Sequence, residues 1–386
     1  MNNFWTWLSS DTNQKETSRE ETLPVVESTP STMDADSLST AGPFGIKVMH
    51  EPTRREDVLY DIFLIHGLTG NRDKTWRHAT WTAENKRSLP EFLAKDFPYA
   101  RIMVYGYDAN VLNFWKPREP VSLEDTTSFG GGLALAIKDS RPAGGSQAIP
   151  PERPMYFIMH SLGGLVTEQA LLRCINGEDD LKPLSSAAKG LIFLGVPHQG
   201  SYYAVYASRI TKILPNAVWS TNKAILENLK TNNDNMRIHL EQPFQRAAKE
   251  GQLKHLQMFS FYETSHHPKV NDFIVPQHSA VLAAYPHGPI PGHHETMSKF
   301  SGRDDDGYKR IKGRLGGMIE EDNKRTEDAK KKAAEDANRN AAPSPATSHQ
   351  GSNFSGNINA GTFDARVNSA GRDNNANTTN YYGSQN

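Results

Sequence analysis

The chain has 386 residues and a single cysteine, and its 43 Lys and Arg residues against 44 Asp and Glu residues give a formal net charge of −1. This balance excludes a global field that would attract nucleic acid or an anionic membrane, and one cysteine excludes a disulfide framework within the chain. No apolar run approaches the roughly 20 residues needed to span a bilayer, and the N-terminus lacks the basic region of a secretory signal. We therefore expect a cytoplasmic protein with one substantial core.

Residues 1–44 are rich in Ser, Thr, Asp, Glu and Pro, and they offer few core-forming side chains after an aromatic opening. This composition predicts disorder. The aromatic opening, with Phe4, Trp5 and Trp7, suits a short contact with a membrane surface or a partner, and a plain flexible terminus is the alternative reading.

From Gly45 onwards, predicted strands and helices alternate along the chain. The apolar runs and their flanking turn residues predict strands at 58–67, 100–107, 155–160, 189–195 and 253–264, and helices at 89–97 and 129–137. This alternation is the spacing expected of βαβ units. The sequence therefore predicts an α/β fold with a mainly parallel sheet over residues 45–320.

The stretch around which the chain is organised is 154–166, where an apolar strand ends at Ser161 and two glycines precede an apolar-periodic helix. A serine on such a turn is lifted clear of the sheet and sits at a helix N-terminus, where backbone N–H groups favour anionic intermediates. The stretch resembles the nucleophile elbow of α/β-hydrolases.

Gly163 supplies the small residue that this elbow needs two places after the serine. Met159, two places before it, departs from the pattern, and we expect its bulk to narrow the turn. An ordinary strand-to-helix turn with an N-capping serine is the alternative.

Two more segments carry a resemblance to serine esterase and lipase-like α/β-hydrolases. The run F-L-I-H-G-L-T-G-N at 63–71 is similar to their oxyanion loop, and V-P-H-Q-G-S at 196–201 is similar to the segment after their sixth strand. The resemblance implies that the backbone N–H groups of Leu68 and Leu162 stabilise the oxyanion. It also implies that His198 shapes the acyl pocket, with a catalytic role as the alternative.

The candidate acid and base lie late in the chain. F-Y-E-T ends a predicted strand on Glu263, and H-E-T-M-S-K-F begins at His294. The order Ser161, Glu263, His294 is the serine, acid, histidine order of the α/β-hydrolase fold. Both segments resemble those of eukaryotic SERAC-type and GPI-inositol-deacylase-like hydrolases. That resemblance favours His294 over His293 as the base, and Asp272 remains the alternative acid.

The reaction implied by this resemblance is ester hydrolysis through an acyl-enzyme. Serine at its free pKa is a poor nucleophile, so His294 would take the proton of Ser161 and return it to the leaving group, while Glu263 would orient the imidazole. No set of Cys and His residues has zinc-site spacing. We therefore expect the reaction to need no metal and no cofactor.

Residues 202–250 and 308–342 are both predicted to be largely helical. The first range has apolar residues at helical spacing, among them Val205, Ile210 and Ile213, and forms either a cap over the sheet edge or extra helices of the main body. The second range is predicted to supply a last helix of the domain up to about 320 and then, over 321–342, a charged helical linker.

The C-terminal tail, residues 343–386, has a different composition of Asn, Gly, Ser, Thr and Ala with isolated apolar residues. N-I-N-A-G at 357–361 recurs as V-N-S-A-G at 367–371. Asparagine and isolated β-formers at low charge favour stacked strands, because contacts between identical chains offset a loss of conformational entropy that one chain alone cannot offset. A disordered polar tail is the alternative.

This tail resembles the amyloid signalling motifs, the sigma motif in particular, of effectors in fungal NLR-type receptor pathways. A hydrolase joined to such a tail resembles the fungal SesB-like serine esterases. The resemblance implies an effector that acts on lipid esters in an incompatibility or cell-death response, assembles through its tail, and is templated by a receptor with a matching motif. It also implies contact with a membrane surface on activation and no nucleic-acid partner. A weak or inactive hydrolase-fold adaptor is the alternative.

Overall fold

The computed structural model describes residues 44–68, 70–107, 129–142, 144, 148–177, 179–199, 202–213 and 237–341. The predictions for the N-terminal segment, apart from Phe44, and for the tail at 343–386 lie outside the described residues. The chain divides into two compact units, Met1–Asp328 and Ala329–Asn386. The sheet and the candidate site belong to the first unit.

Seven strands form one sheet in the described part of the first unit. They are β1 (Gly45–His50), β2 (Tyr60–Ile65), β3 (Ala100–Gly106), β4 (Met155–His160), β5 (Ala188–Leu194), β6 (Gln257–Glu263) and β7 (His287–Ile290). Their order across the sheet is β1-β3-β2-β4-β5-β6-β7. β1 pairs antiparallel with β3, and every other neighbouring pair is parallel.

The helices follow the strands in the alternation that the sequence predicts. In the described residues they are α1 (Leu89–Asp96), α2 (Phe129–Asp139), α3 (Gly163–Asn176), α4 (Lys182–Ala187), α5 (Tyr203–Ile213), α6 (Gln242–Lys249), α7 (Gln277–Ala280) and α8 (Asp306–Ala341). A short 3-10 turn at Arg55–Asp57 precedes β2, and a π-helical turn at Arg237–Glu241 leads into α6. None of these helices is both long enough and apolar enough to cross a membrane.

Helices cover both faces of the sheet. Successive side chains of a strand point to opposite faces, and in β2 Phe63 and Ile65 belong to the core cluster that also holds side chains of α2, α3, α5 and α6. Ile62 and Leu64 belong to a second cluster, with side chains of α1 and α8. Because both faces of the central strands are buried, these strands are continuous apolar runs rather than alternating ones.

This architecture is that of an α/β-hydrolase. A mainly parallel sheet with helices on both faces confirms the predicted fold class. The carboxyl ends of β2, β4, β5 and β6 point the same way, so the loops that follow them meet at one edge of the sheet.

The two edge strands and the start of β6 differ from the sequence expectation. β1 and β7 lack the long apolar runs of the central strands: Val48 in β1 is exposed and β7 contains Pro289, which is tolerated at a sheet edge. β6 begins at Gln257 rather than at residue 253, because the Leu256 N–H bonds to the Leu253 carbonyl in a turn.

The buried face of α5 differs from the expectation at one residue. Ile210 and Ile213 are buried as predicted, whereas Val205 is 38% exposed. Tyr203 and Tyr206 enter the core in its place, at helical spacing with the two isoleucines. These residues join the main core cluster, while residues 214–236 of the same predicted region lie outside the described part of the chain.

α8 is continuous across the predicted boundary between domain and linker at residue 320. Tyr308, Ile311 and Leu315 are fully buried against the sheet. Beyond the boundary, Asp322 is still buried and accepts a hydrogen bond from the Tyr156 hydroxyl at 3.4 Å. Packing of this helix on the sheet therefore extends past residue 320.

Candidate active site

Ser161 occupies the sharp turn between β4 and α3, at the carboxyl edge of the sheet. Its φ is +56°, in the left-handed region that non-glycine residues adopt rarely and at a cost. The Ser161 N–H donates to the Leu194 carbonyl at 2.9 Å, which ties the turn to the end of β5. Ser161 is only 2% exposed. The surrounding structure therefore imposes a strained backbone that aims this hydroxyl at the edge of the sheet.

Two glycines allow the segments around this turn to approach one another. A Cβ on Gly67 would lie 2.5 Å from the Cβ of Ser161, and a Cβ on Gly163 would lie 2.5 Å from the carbonyl oxygens of Ile65 and His66. Both distances are far inside van der Waals contact, so only glycine fits. This close approach explains why a glycine follows Ser161 at position 163 and why another glycine, Gly67, follows the end of β2.

Met159 does not displace the serine. It is fully buried in the core cluster on the α3 face of the sheet, together with Leu165 and Val166 of that helix. Its strand neighbours are Ile65 of β2 and Phe193 of β5. The core therefore accommodates the bulky side chain two places before the serine, and Ser161 keeps the turn geometry described above.

His294 reaches the serine from the loop after β7. Its Nε2 lies 3.0 Å from Ser161 Oγ, and the residue is 2% exposed. His160, which precedes the serine, donates from Nε2 to the His294 carbonyl at 2.7 Å. Burial holds the pKa of His160 well below its ordinary value, so this ring stays neutral. The contact anchors the backbone of His294, and nothing in the sequence pointed to His160 beyond its place next to Ser161.

Glu263, the last residue of β6, places its carboxylate beside the His294 ring. Oε1 lies 3.6 Å from His294 Nδ1, which is longer than a hydrogen bond, and this Nδ1 has no hydrogen-bond partner in the described residues. Oε1 accepts from the Val275 N–H at 2.7 Å and Oε2 from the His294 N–H at 3.0 Å. The carboxylate is thus buried and anchored beside the ring of His294.

Leu68 and Leu162, the predicted oxyanion donors, lie on the two loops that meet at Gly67 and Ser161. Neither N–H donates to a backbone carbonyl of the described residues. Leu162 immediately precedes the first turn of α3, where helix N–H groups lack intrahelical partners. Both donors therefore remain available to a ligand at the serine.

The loop that carries Leu68 is held by His66 and Tyr107. The Nδ1–H of His66 donates to the Gly67 carbonyl at 2.8 Å, and the Tyr107 hydroxyl donates to the His66 carbonyl at 2.9 Å. The two rings stack with centroids 4.5 Å apart. Burial lowers the pKa of His66 to about 4, so the ring is neutral near pH 7.

Tyr206 is a site residue that the sequence did not identify. Its hydroxyl lies 2.9 Å from Ser161 Oγ, and burial raises its pKa, so it stays protonated. Either hydroxyl could be the donor in this contact. Helical spacing with Tyr203 and Ile210 places Tyr206 on the buried face, but spacing alone does not show that this face meets the serine.

The alternative acid and base have other partners. Asp272 is ion-paired with Arg209, and its Oδ1 accepts the Phe273 N–H at 2.7 Å. The ring of His293 lies against His267, with centroids 4.8 Å apart. Among the described contacts, neither Asp272 nor His293 reaches the serine, so the structure brings together the set that includes Glu263 and His294.

His198, the second alternative base, lies in a separate buried pair. Its Nδ1 is 2.9 Å from Glu168 Oε1, and both side chains are almost fully buried. The ring packs edge-on against Phe193, with centroids 4.6 Å apart. No contact with Ser161 is found for it in the part of the chain that the structure describes.

Protein-family models give no match to the chain. Protein SERAC1 of Danio rerio is 26% identical to it over 302 residues, which cover 74% of this chain and 44% of that protein. Protein SERAC1 of Mus musculus is 30% identical over 199 residues, which cover 47% of this chain and 28% of that protein. The chain thus spans less than half the length of these curated relatives.

Solved structures of esterases and lipases are also similar to the chain. The lipase BlEst2 of Bacillus licheniformis has 14% identity and a TM-score of 0.38, covering 67% of this chain and 94% of the lipase. Esterase B of Lactobacillus rhamnosis has 13% identity and a TM-score of 0.40, covering 77% and 94%. At this level of similarity, the chemistry of this chain has to be argued from its own side chains.

Proposed function

We propose that the protein is a serine hydrolase that cleaves carboxylic esters through an acyl-enzyme. Ser161 is the nucleophile, His294 the general base and acid, and Glu263 the carboxylate that orients the imidazole. The observation that carries the proposal is the 3.0 Å contact between Ser161 Oγ and His294 Nε2 at a serine with a φ of +56°. A buried hydroxyl beside a buried imidazole at a strained turn is the arrangement that activates serine.

In the acylation step, Ser161 Oγ attacks the ester carbonyl while His294 Nε2 takes the hydroxyl proton. The tetrahedral intermediate collapses when His294 returns this proton to the alcohol oxygen, which leaves with the electrons of the broken C–O bond. Water then attacks the acyl-serine with His294 again as base, and the acid is released. The nearby Glu263 carboxylate stabilises the transient positive charge on His294.

The negative charge that forms on the substrate oxygen needs donors placed before the reaction starts. The N–H groups of Leu68 and Leu162 fill this role, because their loops meet where Gly67 touches Ser161. Each such donor is typically worth about 3–4 kcal/mol of transition-state stabilisation. The absence of a side chain at Gly67 is what lets the Leu68 loop come this close.

Tyr206 acts as a positioning residue for the nucleophile. Its hydroxyl donates to the lone pair of Ser161 Oγ, which leaves the serine proton directed at His294. Ser161 and Tyr206 are both only 2% exposed, so an ester reaches the serine only after the side chains that cover it move aside.

The wider role in the proposal comes from the sequence resemblance to SesB-like esterases. The similarity to SERAC1 proteins supports the esterase part of this proposal. The substrate class is lipid esters, and the protein is a cytoplasmic effector that meets a membrane surface once activated. The Asn-rich tail at 343–386 assembles copies of the chain under the template of an NLR-type receptor.

A second candidate is a hydrolase-fold adaptor that is assembled by the tail and catalyses little. Two observations favour it: the 3.6 Å gap between Glu263 Oε1 and His294 Nδ1, and the 2% exposure of Ser161. Catalytic hydrogen bonds are often long before substrate binds, so these observations also fit an enzyme awaiting its substrate.

Ester turnover by the full chain separates the two candidates. The experiment measures hydrolysis of p-nitrophenyl esters of increasing acyl length by the wild-type chain and by Ser161→Ala, with circular dichroism to verify folding. Turnover that is lost in the variant supports the enzyme. Folded wild-type protein with no turnover above Ser161→Ala on any ester, including phospholipid vesicles, rejects the enzyme and leaves the adaptor.

The assembly proposal is tested separately with thioflavin T. The full chain is expected to form thioflavin-positive fibrils, and a chain lacking residues 343–386 is expected to form none while keeping its ester turnover. Equal fibril formation by both chains would show that the tail does not drive assembly.

A further inference from the structure

Three metal-ligating side chains outside the serine site converge on one point. His267 lies in the loop after β6, and His293 and Glu295 lie in the loop after β7. One ligating atom of each residue lies within 4.8 Å of the others. We propose that these residues form a site for a divalent transition metal, and that the metal bound there is zinc.

The backbone holds the two loops together before any cation binds. The N–H groups of Thr264 and Ser265 donate to the Gly292 carbonyl at 3.0 and 3.1 Å. His267 is fixed within its own loop, where its N–H donates to the Asp272 carbonyl at 2.9 Å and its carbonyl accepts from Asn271 at 2.8 Å. The ligand set is therefore held on an anchored scaffold.

The side chains themselves are close and largely shielded. His267 Nε2 lies 2.9 Å from Glu295 Oε2, and the rings of His267 and His293 meet edge to face with centroids 4.8 Å apart. His267 is 2% exposed. Nδ1 of His293 is buried and has no hydrogen-bond partner in the described residues. An unpartnered buried nitrogen is costly, and a cation bound by this ring would remove that cost.

The donor chemistry selects the metal. Two imidazoles and one carboxylate suit zinc and its neighbours among the transition metals, whereas calcium and magnesium prefer oxygen ligands alone. Zinc would bind His267 Nε2 in place of the proton that this nitrogen now shares with Glu295, and the neutral ring would then carry its proton on Nδ1. The Lys269 N–H, which donates to Nδ1 at 3.3 Å, would have to move away. This set could not be identified from the sequence, because His267 is distant in the chain from His293 and Glu295 and the three residues follow no zinc-site spacing.

The cation would affect the serine site indirectly, through the backbone on either side of His294. His293 and Glu295 are the direct neighbours of His294, so a metal that fixes both residues also fixes the loop that carries the general base. Zinc binding is therefore expected to raise the melting temperature of the full chain, because a ligand that binds the native state stabilises it.

The test measures zinc binding by the full chain without a histidine tag, after removal of bound metal by a chelator. Calorimetry and elemental analysis after desalting are expected to show one zinc per chain. His293→Ala and Glu295→Gln should bind at least about 10-fold more weakly and lose the rise in melting temperature. His287→Ala, which removes an exposed histidine on β7, is the matched control and should bind as the wild type does.

Ser161→Ala separates this proposal from the proposed function, because it should lose ester turnover and keep zinc binding. Glu295→Gln changes a half-buried side chain conservatively, so it serves if an alanine variant does not fold. The proposal is overturned if the wild-type chain binds no stoichiometric zinc, or if His293→Ala and Glu295→Gln bind zinc as tightly as His287→Ala does.

Discussion

The two ends of β2 carry buried polar groups that differ in how fully they are paired. At the amino end, Asp61 is completely buried and accepts from Arg101 Nε and Nη2 at 3.0 and 2.9 Å. Arg141 is also ion-paired with this carboxylate, and Arg153 lies 3.9 Å from it. One buried carboxylate is thus surrounded by guanidinium groups from three segments of the chain.

At the carboxyl end, β2 leads into Gly67 and the serine site. There, Ser161 is held at a positive φ, and His294 Nδ1 is buried without a hydrogen-bond partner in the described residues. The Glu263 carboxylate, which could satisfy this nitrogen, lies 3.6 Å away.

Under the proposed function, β2 serves stability at its amino end and chemistry at its carboxyl end. A carboxylate paired on all sides holds chain segments together and has no capacity left for a substrate. A strained serine beside an incompletely bonded imidazole costs stability and keeps reactive groups available. Substitutions at the two ends should therefore separate folding from turnover.

The largest expected effect is on turnover, at the carboxyl end. Ser161→Ala should lower kcat/KM for esters by about 10⁴-fold or more, because it removes the nucleophile that His294 activates. Its free energy of unfolding should change by only about 1 kcal/mol, the usual scale of one lost hydrogen bond. Steady-state kinetics and urea unfolding measure the two quantities.

Ser185→Ala is the control for this change. The Ser185 hydroxyl donates to the Lys182 carbonyl within α4, which precedes the amino end of β5, whereas Ser161 lies at the carboxyl edge of the sheet. Ser185→Ala should keep full turnover. Loss of the nucleophile should leave far less than a tenth of the wild-type turnover. A Ser161→Ala chain that retains more than about a tenth would therefore contradict the role of Ser161.

The amino end should respond in the opposite way. Asp61→Asn should lower the free energy of unfolding by about 3–5 kcal/mol, because it leaves buried guanidinium groups without their counter-charge. Turnover per folded molecule should be unchanged at a temperature where the variant is folded. Asp179→Asn, at an exposed pair with Lys182, is the control and should leave stability unchanged.

If folded Asp61→Asn lost turnover by a factor that corresponds to about the same free energy as its loss of stability, the two ends would be coupled. A stability equal to that of Asp179→Asn would instead show that the arginine cluster contributes nothing to folding.

The third effect is a dependence of stability on pH at the carboxyl end. Burial lowers the pKa of His66 to about 4, below the value near 6.5 of an unfolded chain. Between these pH values the unfolded chain binds more protons than the folded one, so stability is full above about pH 6.5 and falls as the pH drops towards 4. The loss from this one ring should be about 3 kcal/mol over that window.

Urea unfolding at a series of pH values between 7 and 5 measures this slope. His66→Gln should reduce this slope without abolishing it, because burial also lowers the pKa of His160, and the exposed control His287→Gln should leave it as in the wild type. An unfolding free energy that does not change with pH in the wild type would mean that His66 is not held neutral by burial.

The smallest expected effect concerns the hydroxyl that positions the nucleophile. Tyr206→Phe should lower kcat by about 3- to 10-fold with little change in KM, because one hydrogen bond of roughly 1 kcal/mol to Ser161 is lost while substrate contacts remain. Tyr203→Phe is the matched control on the same helix, since the buried Tyr203 hydroxyl has no partner in the described residues. The positioning role is wrong if both variants lose the same amount of turnover.

The sequence predicted those parts of the molecule that depend on local pattern. Apolar runs and turn residues predicted the central strands, and the turn at Ser161 followed from the glycines beside it. The edge strands β1 and β7 could not be found in this way, because only one of their sides pairs with the sheet and their apolar content is low.

Contacts between distant segments were beyond the reach of local pattern. Apolar spacing predicted Ile210 and Ile213 correctly as buried residues of α5, but it selected the exposed Val205 and did not identify Tyr206, because the contacts of this helix depend on how it meets the sheet. The approach of His267 to His293 depends on the pairing of two loops. The 3.6 Å gap at Glu263 is likewise set by how β6 and the loop after β7 pack.

The central claim is that His294 activates Ser161 within this fold. Labelling of the full chain with a fluorophosphonate probe, followed by mass spectrometry of the digested protein, tests it directly. The account predicts a single major adduct on the peptide containing Ser161, strongly reduced in His294→Ala and absent in Ser161→Ala. Folded wild-type protein that is not labelled at Ser161, or labelling of Ser161 that is unaffected by loss of His294, would contradict it.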